Sequence, residues 1–454
     1  MSRILFLNQP SIGHLNTLLS IASQMKEDGH EVSFLVPGIM RSKMNTQNLG
    51  PGGAVPYLIQ KNDIAVNVIR PHFSLAVSAI ILPFMSGYNE TVYALDMFSK
   101  GIVYYTKSIL KAIESNKPDI MVSDFTFFAS SVAAELTKIP CVVVYHSGLP
   151  FRGDTVPPFG SGLPISENSA HDGEKYIRKE KELVQRLDDR FNAARRKFNL
   201  PALAPDMLRR PYSEWLNLVT SIEAAEAPRN NLTSHTLFIG PCYGKRKGMQ
   251  MEFPFEKLRA DKFKVYASLG TVFNNKPDVF RKIMDALDEP EYQVVISAGG
   301  AYQALSQRKI PQNVLLFKSV PQIELLPKVD LVIGHGGNNS TNETLAAGKP
   351  LIVIPVGGEQ TDNASRMEFL GVGRRINMKQ LDKSKIRQAI GEIREQPSFL
   401  ERLAAIKQAT SQTNGLVSAS RCIEWVARHR KPLHRPSGFP LTITTDNLGQ
   451  LMDM

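Results

Sequence analysis

A chain of 454 residues exceeds what a single hydrophobic core usually organises, so its length points to two domains. An apolar share of 43% with 21% charged residues is that of a globular protein and excludes a disordered one. The net charge of +11 is spread over scattered Lys and Arg, with no basic run interleaved with aromatics, which excludes nucleic acid as the expected partner and leaves a general field attractive to small anions.

Residues 4–7 predict a strand, 10–13 a loop, 14–28 a helix closed by Gly29, and 31–36 a second strand. No charged leader, long apolar region and small-residue cleavage site precede them, so no signal peptide is expected. The longest apolar stretch, 75–85, is too short to span a bilayer and contains Pro83, so no membrane anchor is expected either. Residues 119–122 and 141–145 predict two more strands around a helical 128–138. This alternation implies an α/β fold with a parallel, doubly wound sheet.

The pattern loosens between about 150 and 240, where Pro157, Pro158, Gly160 and Gly162 precede a charged stretch, 174–198. Its apolar residues Ile177, Val184, Leu187, Phe191, Ala194 and Phe198 share one helical face, and mixed charges opposite favour packing on the domain over a membrane surface. Residues 241–255, with Lys245, Arg246 and Lys247, predict an interdomain linker. A second series of strands follows at 264–268, 293–297, 314–317, 331–333 and 351–354, with a last helix at 417–429; residues 430–454, rich in Pro and polar groups, form a tail without a readable pattern. Cys141, Cys242 and Cys422 stand far apart in no metal-type or redox-type pair, which suits a reducing cytoplasm.

The most informative stretch is 319–363. Leu331, Val332 and Ile333 read as a buried parallel strand ending at Gly334. His335, Gly336 and Gly337 then lead into the cap-type residues Asn338, Asn339 and Ser340 and a helix over 341–347, stopped by Gly348 and Pro350. A helix N-terminus just beyond a strand's carboxyl end offers free N–H groups and a positive dipole end, and glycines let a phosphate approach closely. The pattern suits a nucleotide diphosphate held without a metal ion. Glu343 lies about one helical turn in, Pro321 and Gln322 precede the strand, and Glu359, Gln360 and Asn363 follow the next one.

Two residues of the first half stand at comparable places. His14 follows the first strand and Asp124 ends the strand at 120–122, where open α/β sheets put their ligands. An imidazole near neutral pH can take a proton from a hydroxyl while a carboxylate on its other nitrogen fixes the tautomer. His146 also falls near this crevice and is a candidate for the acceptor side, with a structural role equally open.

Along nearly its full length the chain resembles the family 1 nucleotide-sugar glycosyltransferases, especially the bacterial branch acting on macrolides and flavonoids. The motif His-Gly-Gly-x-Asn-Ser-x-x-Glu stands as His335, Gly336, Gly337, Asn339, Ser340 and Glu343, and the acidic-Gln pair as Glu359 and Gln360. The resemblance implies that His335, Gly337, Asn339 and Ser340 hold the diphosphate, that Glu343 holds the ribose hydroxyls, and that Glu359 and Gln360 bind the sugar. It extends the donor-binding set to Val320, Gln322, Ser268 and Thr271, the last two belonging to the recurring element Ser268-Leu269-Gly270-Thr271. Pro10, Gly13, His14, Ser123 and Asp124 match the family's catalytic dyad positions.

The sequence departs from the pattern at three places. Ser319 replaces the plant Trp that stacks on uracil, which leaves UDP and dTDP both open; Gly336 and Asn338 replace the plant Cys and Trp; and Thr17 replaces a usual Pro, altering helix entry.

The expected architecture is GT-B: an acceptor-binding Rossmann-like domain over 1–240, the linker 241–255, a nucleotide-sugar domain over 256–415, a helix over 416–430 crossing back, and the tail 431–454. The expected reaction is inverting transfer of a hexose, glucose foremost, from a UDP-sugar, or a dTDP-sugar, to a hydroxyl of a small apolar acceptor. His14 would be the base, Asp124 its orienting partner, and no cofactor or metal would take part. The acceptor would be contacted by loops over 45–97 and 156–174. A nucleotide-sugar 2-epimerase or hydrolase on the same fold, or a non-catalytic nucleotide-sugar-binding protein, are the alternative readings.

Overall fold

The computed structural model describes residues 1–38, 51–81, 85, 87–146, 148–166, 173–206, 212–244, 252–270 and 274–453. Thr271, the Lys245-Arg246-Lys247 run and parts of both acceptor loops lie outside the described residues.

Two parallel sheets carry the chain. The first contains β1 (Arg3–Leu7), β2 (Glu31–Pro37), β3 (Ala65–Ile69), β4 (Ile120–Asp124), β5 (Cys141–Tyr145), β6 (Leu216–Val219) and β7 (Thr236–Phe238), in the order β3-β2-β1-β4-β5-β6-β7. The second contains β8 (Phe263–Ser268), β9 (Tyr292–Ser297), β10 (Val314–Phe317), β11 (Leu331–Gly334), β12 (Leu351–Val353) and β13 (Gly373–Arg375), in the order β10-β9-β8-β11-β12-β13. Helices connect successive strands, the arrangement that parallel pairing requires.

Burial on both faces explains the near-continuous apolar runs. In β1, Ile4 and Phe6 enter one core while Leu5 and Leu7 enter another on the opposite face. In β11, Leu331 and Ile333 point one way and Val332 the other. Each sheet is thus the middle layer of a sandwich.

In each sheet the winding direction reverses once, between β1 and β4 in the first and between β8 and β11 in the second. The loops after two such strands leave in opposite directions and open a crevice at their carboxyl ends. Register puts Leu7 beside Ser123 and Gly334 beside Ser268, so His14 and Asp124 follow one switch point, and His335 and Ser268 the other.

Local boundaries differ from the sequence reading in three instructive places. The helix expected from residue 14 is Ile12–Glu27, because Ser11 takes extended backbone and its carbonyl accepts from Leu15 N at 2.9 Å; His14 is therefore in the first turn. The helix expected from 341 is Asn338–Ala346, with Gly337 at the N-cap, so Asn338, Asn339 and Ser340 are inside it. The strand expected to 354 ends at Val353.

The helix Gly415–His429 follows the second sheet in sequence but buries Ala419, Cys422, Ile423 and Val426 in the core of the first. Residues beyond it stay with that core: Leu433, Ile443 and Leu451 are buried there, and Ile443 N donates to Phe238 O at 2.7 Å beside β7. Among the described residues, no helix is long and apolar enough to cross a membrane.

Candidate active site

Asp124, the last residue of β4, is fully buried. Its Oδ2 accepts from His14 Nδ1 at 2.9 Å and from His146 Nε2 at 3.1 Å, and its Oδ1 accepts from Thr126 N at 2.8 Å and from the Thr126 hydroxyl. Burial alone would raise this carboxyl, but the two imidazoles, His14 foremost, hold it far below the usual carboxylate range. An ionised carboxylate only accepts, so both rings present N–H to it and His14 keeps its Nε2 lone pair free for a proton. His14 is 25% exposed, stacks on Phe125 at 5.6 Å between ring centroids, and lies 4.7 Å from the His146 ring. Burial opposes charge on His14, yet Asp124, with help from Glu359, raises it above its ordinary 6.5.

His146 is only 3% exposed, which places it beneath the crevice as a second partner of Asp124. Burial, reinforced by the field of His14, lowers it and keeps it neutral. Its Nδ1 is buried without a hydrogen-bond partner among the described residues. His14, Asp124 and His146 are also the group among the described residues that could hold a metal ion, their ligand atoms lying within 4.8 Å of one another. The same atoms already satisfy one another as donors and acceptor.

On the facing sheet, Gly336 turns the chain with φ of +87°, a conformation that favours glycine, and a Cβ there would sit 2.6 Å from Val353. A Cβ on Gly270 or on Gly337 would lie 2.5 Å from the His335 ring, so backbone packs flush against that imidazole. His335 is lowered by burial to about 4 and is neutral near pH 7. The first bond of the following helix runs from Thr341 N to Gly337 O at 3.0 Å, which leaves the N–H groups of 338–340 ahead of the ladder at the positive dipole end.

The remaining donor-side candidates are held as follows. Glu343 is buried and its Oε2 accepts from Gln322 Nε2 at 2.5 Å, while Ser340 Oγ lies 3.4 Å from the same nitrogen. Val320 packs in the core against Tyr266, so only its backbone is available to a ligand. Ser268 ends β8 beside Gly334. Glu359 stands just before the helix Gln360–Phe369, half-buried and with its carboxyl raised by burial. Gln360 is buried, and its Oε1 accepts from Val356 N at 2.8 Å and Gly357 N at 3.3 Å, leaving its amide nitrogen as the group free to reach a ligand.

Asn339 joins the two halves: its Nδ2 donates to Gly13 O at 3.0 Å and its Oδ1 accepts from Thr17 at 3.2 Å. Sequence reasoning treated Thr17 only as a departure at the helix entry, although its i+3 spacing from His14 puts both on one face. It also missed Thr126, two residues from Asp124, and the bond between His146 and Asp124, which are 22 residues apart.

Two facing doubly wound domains with crevices at their switch points are the GT-B arrangement. A family profile described as UDP-glucoronosyl and UDP-glucosyl transferase matches residues 4–442, so the chain belongs to that family of enzymes, which take a sugar from a nucleotide sugar and pass it to an acceptor. It is 27% identical over 424 residues to the NDP-glycosyltransferase YjiC of Bacillus subtilis (strain 168), covering 93% of this chain and 96% of that one. It is 24% identical over 438 residues to the 4'-demethylrebeccamycin synthase of Lentzea aerocolonigenes, covering 93% and 99%. The fold matches the crystal structure of the glycotransferase of kitacinnamycin with a TM-score of 0.71 at 21% identity, over 95% of this chain and all of that one.

Proposed function

We propose that the enzyme transfers a hexose, glucose foremost, from UDP to a hydroxyl of a small apolar acceptor with inversion at the anomeric carbon. His14 takes the acceptor proton at Nε2 while Asp124 holds Nδ1–H and stabilises the imidazolium that forms. The observation carrying this reading is the 2.9 Å bond that fixes the His14 tautomer in the crevice opposite the Gly-rich turn. The leaving diphosphate meets the N–H groups of 338–340, neutral His335 as a hydrogen-bond donor, and the Ser268 hydroxyl, so no divalent ion is required. A relative named for rebeccamycin and another named for oleandomycin support a natural-product acceptor.

The test begins with thermal unfolding in saturating UDP, dTDP, GDP and ADP. A ligand at about a hundred times its dissociation constant stabilises by roughly 2.7 kcal/mol. UDP-glucose turnover with a panel of polyketide and flavonoid alcohols follows, with and without EDTA. We expect acceptor-dependent UDP release that EDTA leaves unchanged and that His14→Ala lowers by about 10² to 10⁴-fold. Equal sugar release without an acceptor would favour a hydrolase, and undiminished transfer by His14→Ala would remove the base assignment.

A further inference from the structure

Phe125 follows Asp124 directly, in the turn after β4. Its backbone is anchored on both sides, the N–H donating to Val144 O at 3.2 Å and the carbonyl accepting from the Tyr212 hydroxyl at 2.9 Å. Its ring stacks on the buried Tyr145, at 5.5 Å between centroids and 28° between planes, and meets His146 edge-on at 5.9 Å and 71°. It also stacks on the His14 imidazole, at 5.6 Å and 22°, within the range that offset aromatic pairs prefer. The charged and titratable groups facing His14 come from separate elements: Asp124 at the end of β4, His146 just after β5, and Glu359 before the helix Gln360–Phe369. Asp124 meets the imidazole at its Nδ1 edge, whereas Phe125 covers a face.

We propose that Phe125 is a positioning residue acting through His14: its electron-rich ring face stabilises the imidazolium as it forms, complementing the charge that Asp124 supplies at the edge. The proposal rests on the reading of His14 as the base. In that step the acceptor oxygen bonds the anomeric carbon and its proton moves to His14 Nε2. The bond from that carbon to the diphosphate oxygen breaks, its electron pair leaving with UDP. The imidazole thus gains a positive charge as the reaction proceeds. A cation within about 6 Å of a phenyl centroid is attracted by the ring quadrupole, the more so where water is excluded. Neutral imidazole draws little of that attraction, so the contact is stronger in the transition state than in the ground state, the condition for raising kcat rather than lowering KM. An aliphatic side chain would pack against the same face without supplying it. The stack on Tyr145 backs the ring, which cannot turn away from His14 without opening that contact.

The test replaces Phe125 in the full-length enzyme by 4-fluoro- and by 3,4,5-trifluorophenylalanine, which draw electron density from the ring face with little change in shape, and separately by Leu. The same fluorinated residues at Phe127, buried in the neighbouring core against Tyr105, serve as the control. Transfer from UDP-glucose to the most active alcohol of the acceptor panel is measured on the plateau of the pH profile, with KM for each substrate and the melting temperature. We expect kcat to fall stepwise with fluorination, by about threefold for the trifluorinated ring and by as much or more for Phe125→Leu. Both KM values and the melting temperature of the fluorinated enzymes should stay unchanged, and Phe127 should show no trend. A kcat that stays level across the fluorine series overturns the proposal even where Phe125→Leu is slow, since packing alone would then account for the ring; an equal fall at Phe127 overturns it as well. A series that moves the acceptor KM and leaves kcat level also overturns it, making Phe125 a wall of the acceptor pocket. Undiminished transfer by His14→Ala removes the base reading itself, and the proposal with it.

Discussion

The chemistry proposed for His14 turns on one carboxylate shared by two rings. Asp124 raises His14 above 6.5, and the base works only when neutral, so transfer should fall as pH drops through a limb lying above that value. For stability the sign is opposite: a raised histidine contributes fully below pH 6.5 and the contribution fades as pH rises through the folded value. Depressed Asp124 contributes above the ordinary carboxylate range and loses its contribution as pH falls toward its folded value. His146 donates to the same oxygen as His14, and its positive form is disfavoured by burial. Removing that donor in His146→Phe concentrates the carboxylate's acceptance on His14. We expect the acidic limb of the kcat/KM profile to move to higher pH by a few tenths of a unit or more, while an unmoved limb would show that His146 serves packing alone.

At the scale of elements, the strand, turn and helix around His335 form the diphosphate site proposed above. Gly337→Ala would place a methyl 2.5 Å from the His335 ring at a backbone φ of −64° that alanine accepts. The ring rather than the chain must therefore move. We expect a folded protein whose UDP-dependent thermal shift is largely lost, a comparison of two melting curves. This element was legible in the sequence because a short β-branched run, glycines and cap residues follow one another within about ten positions. The first-sheet strands β3, β6 and β7 were not. The β3 residues alternate half-buried with exposed, and β7 has only three residues, too few for any period to register. Tyr266 falls within the strand expected at 264–268, and nothing local indicates that its hydroxyl meets a glutamine 56 positions away. The tail was unreadable for a related reason: its buried Leu433, Ile443 and Leu451 are widely spaced, with Pro and polar residues between them.

Across the whole molecule, the two halves are joined by polar contacts that flank the crevice. Asp362, on the helix carrying Gln360, accepts from Gly160 N and, at 2.9 Å, from Gly162 N of the facing half. Ser365 and Arg375 donate to Gly162 O at 2.9 and 2.6 Å. Burial raises the Asp362 carboxyl to about 6, so the contribution of its protonation to stability is complete below the ordinary 3.8 and disappears as pH rises through about 6. Asp362→Ala should free the Gly160 and Gly162 amides. We expect their hydrogen exchange to quicken by about tenfold at neutral pH while amides of β4 and β5 keep their protection, and unchanged exchange at both glycines would show that Ser365 and Arg375 hold the loop alone.

The packing of Gly415–His429 and the residues after it has a consequence for biosynthesis. The first sheet ends at Phe238, yet Ala419, Cys422, Ile423, Val426, Leu433, Ile443 and Leu451 complete its core. At ribosomal speed the interval between making the last strand and making its cover is on the order of ten to thirty-five seconds. During that interval a nascent chain carries a finished sheet with an uncovered greasy flank, while the second sheet emerges complete. The domain made first is thus the one finished last, and until then it is the natural client of a chaperone.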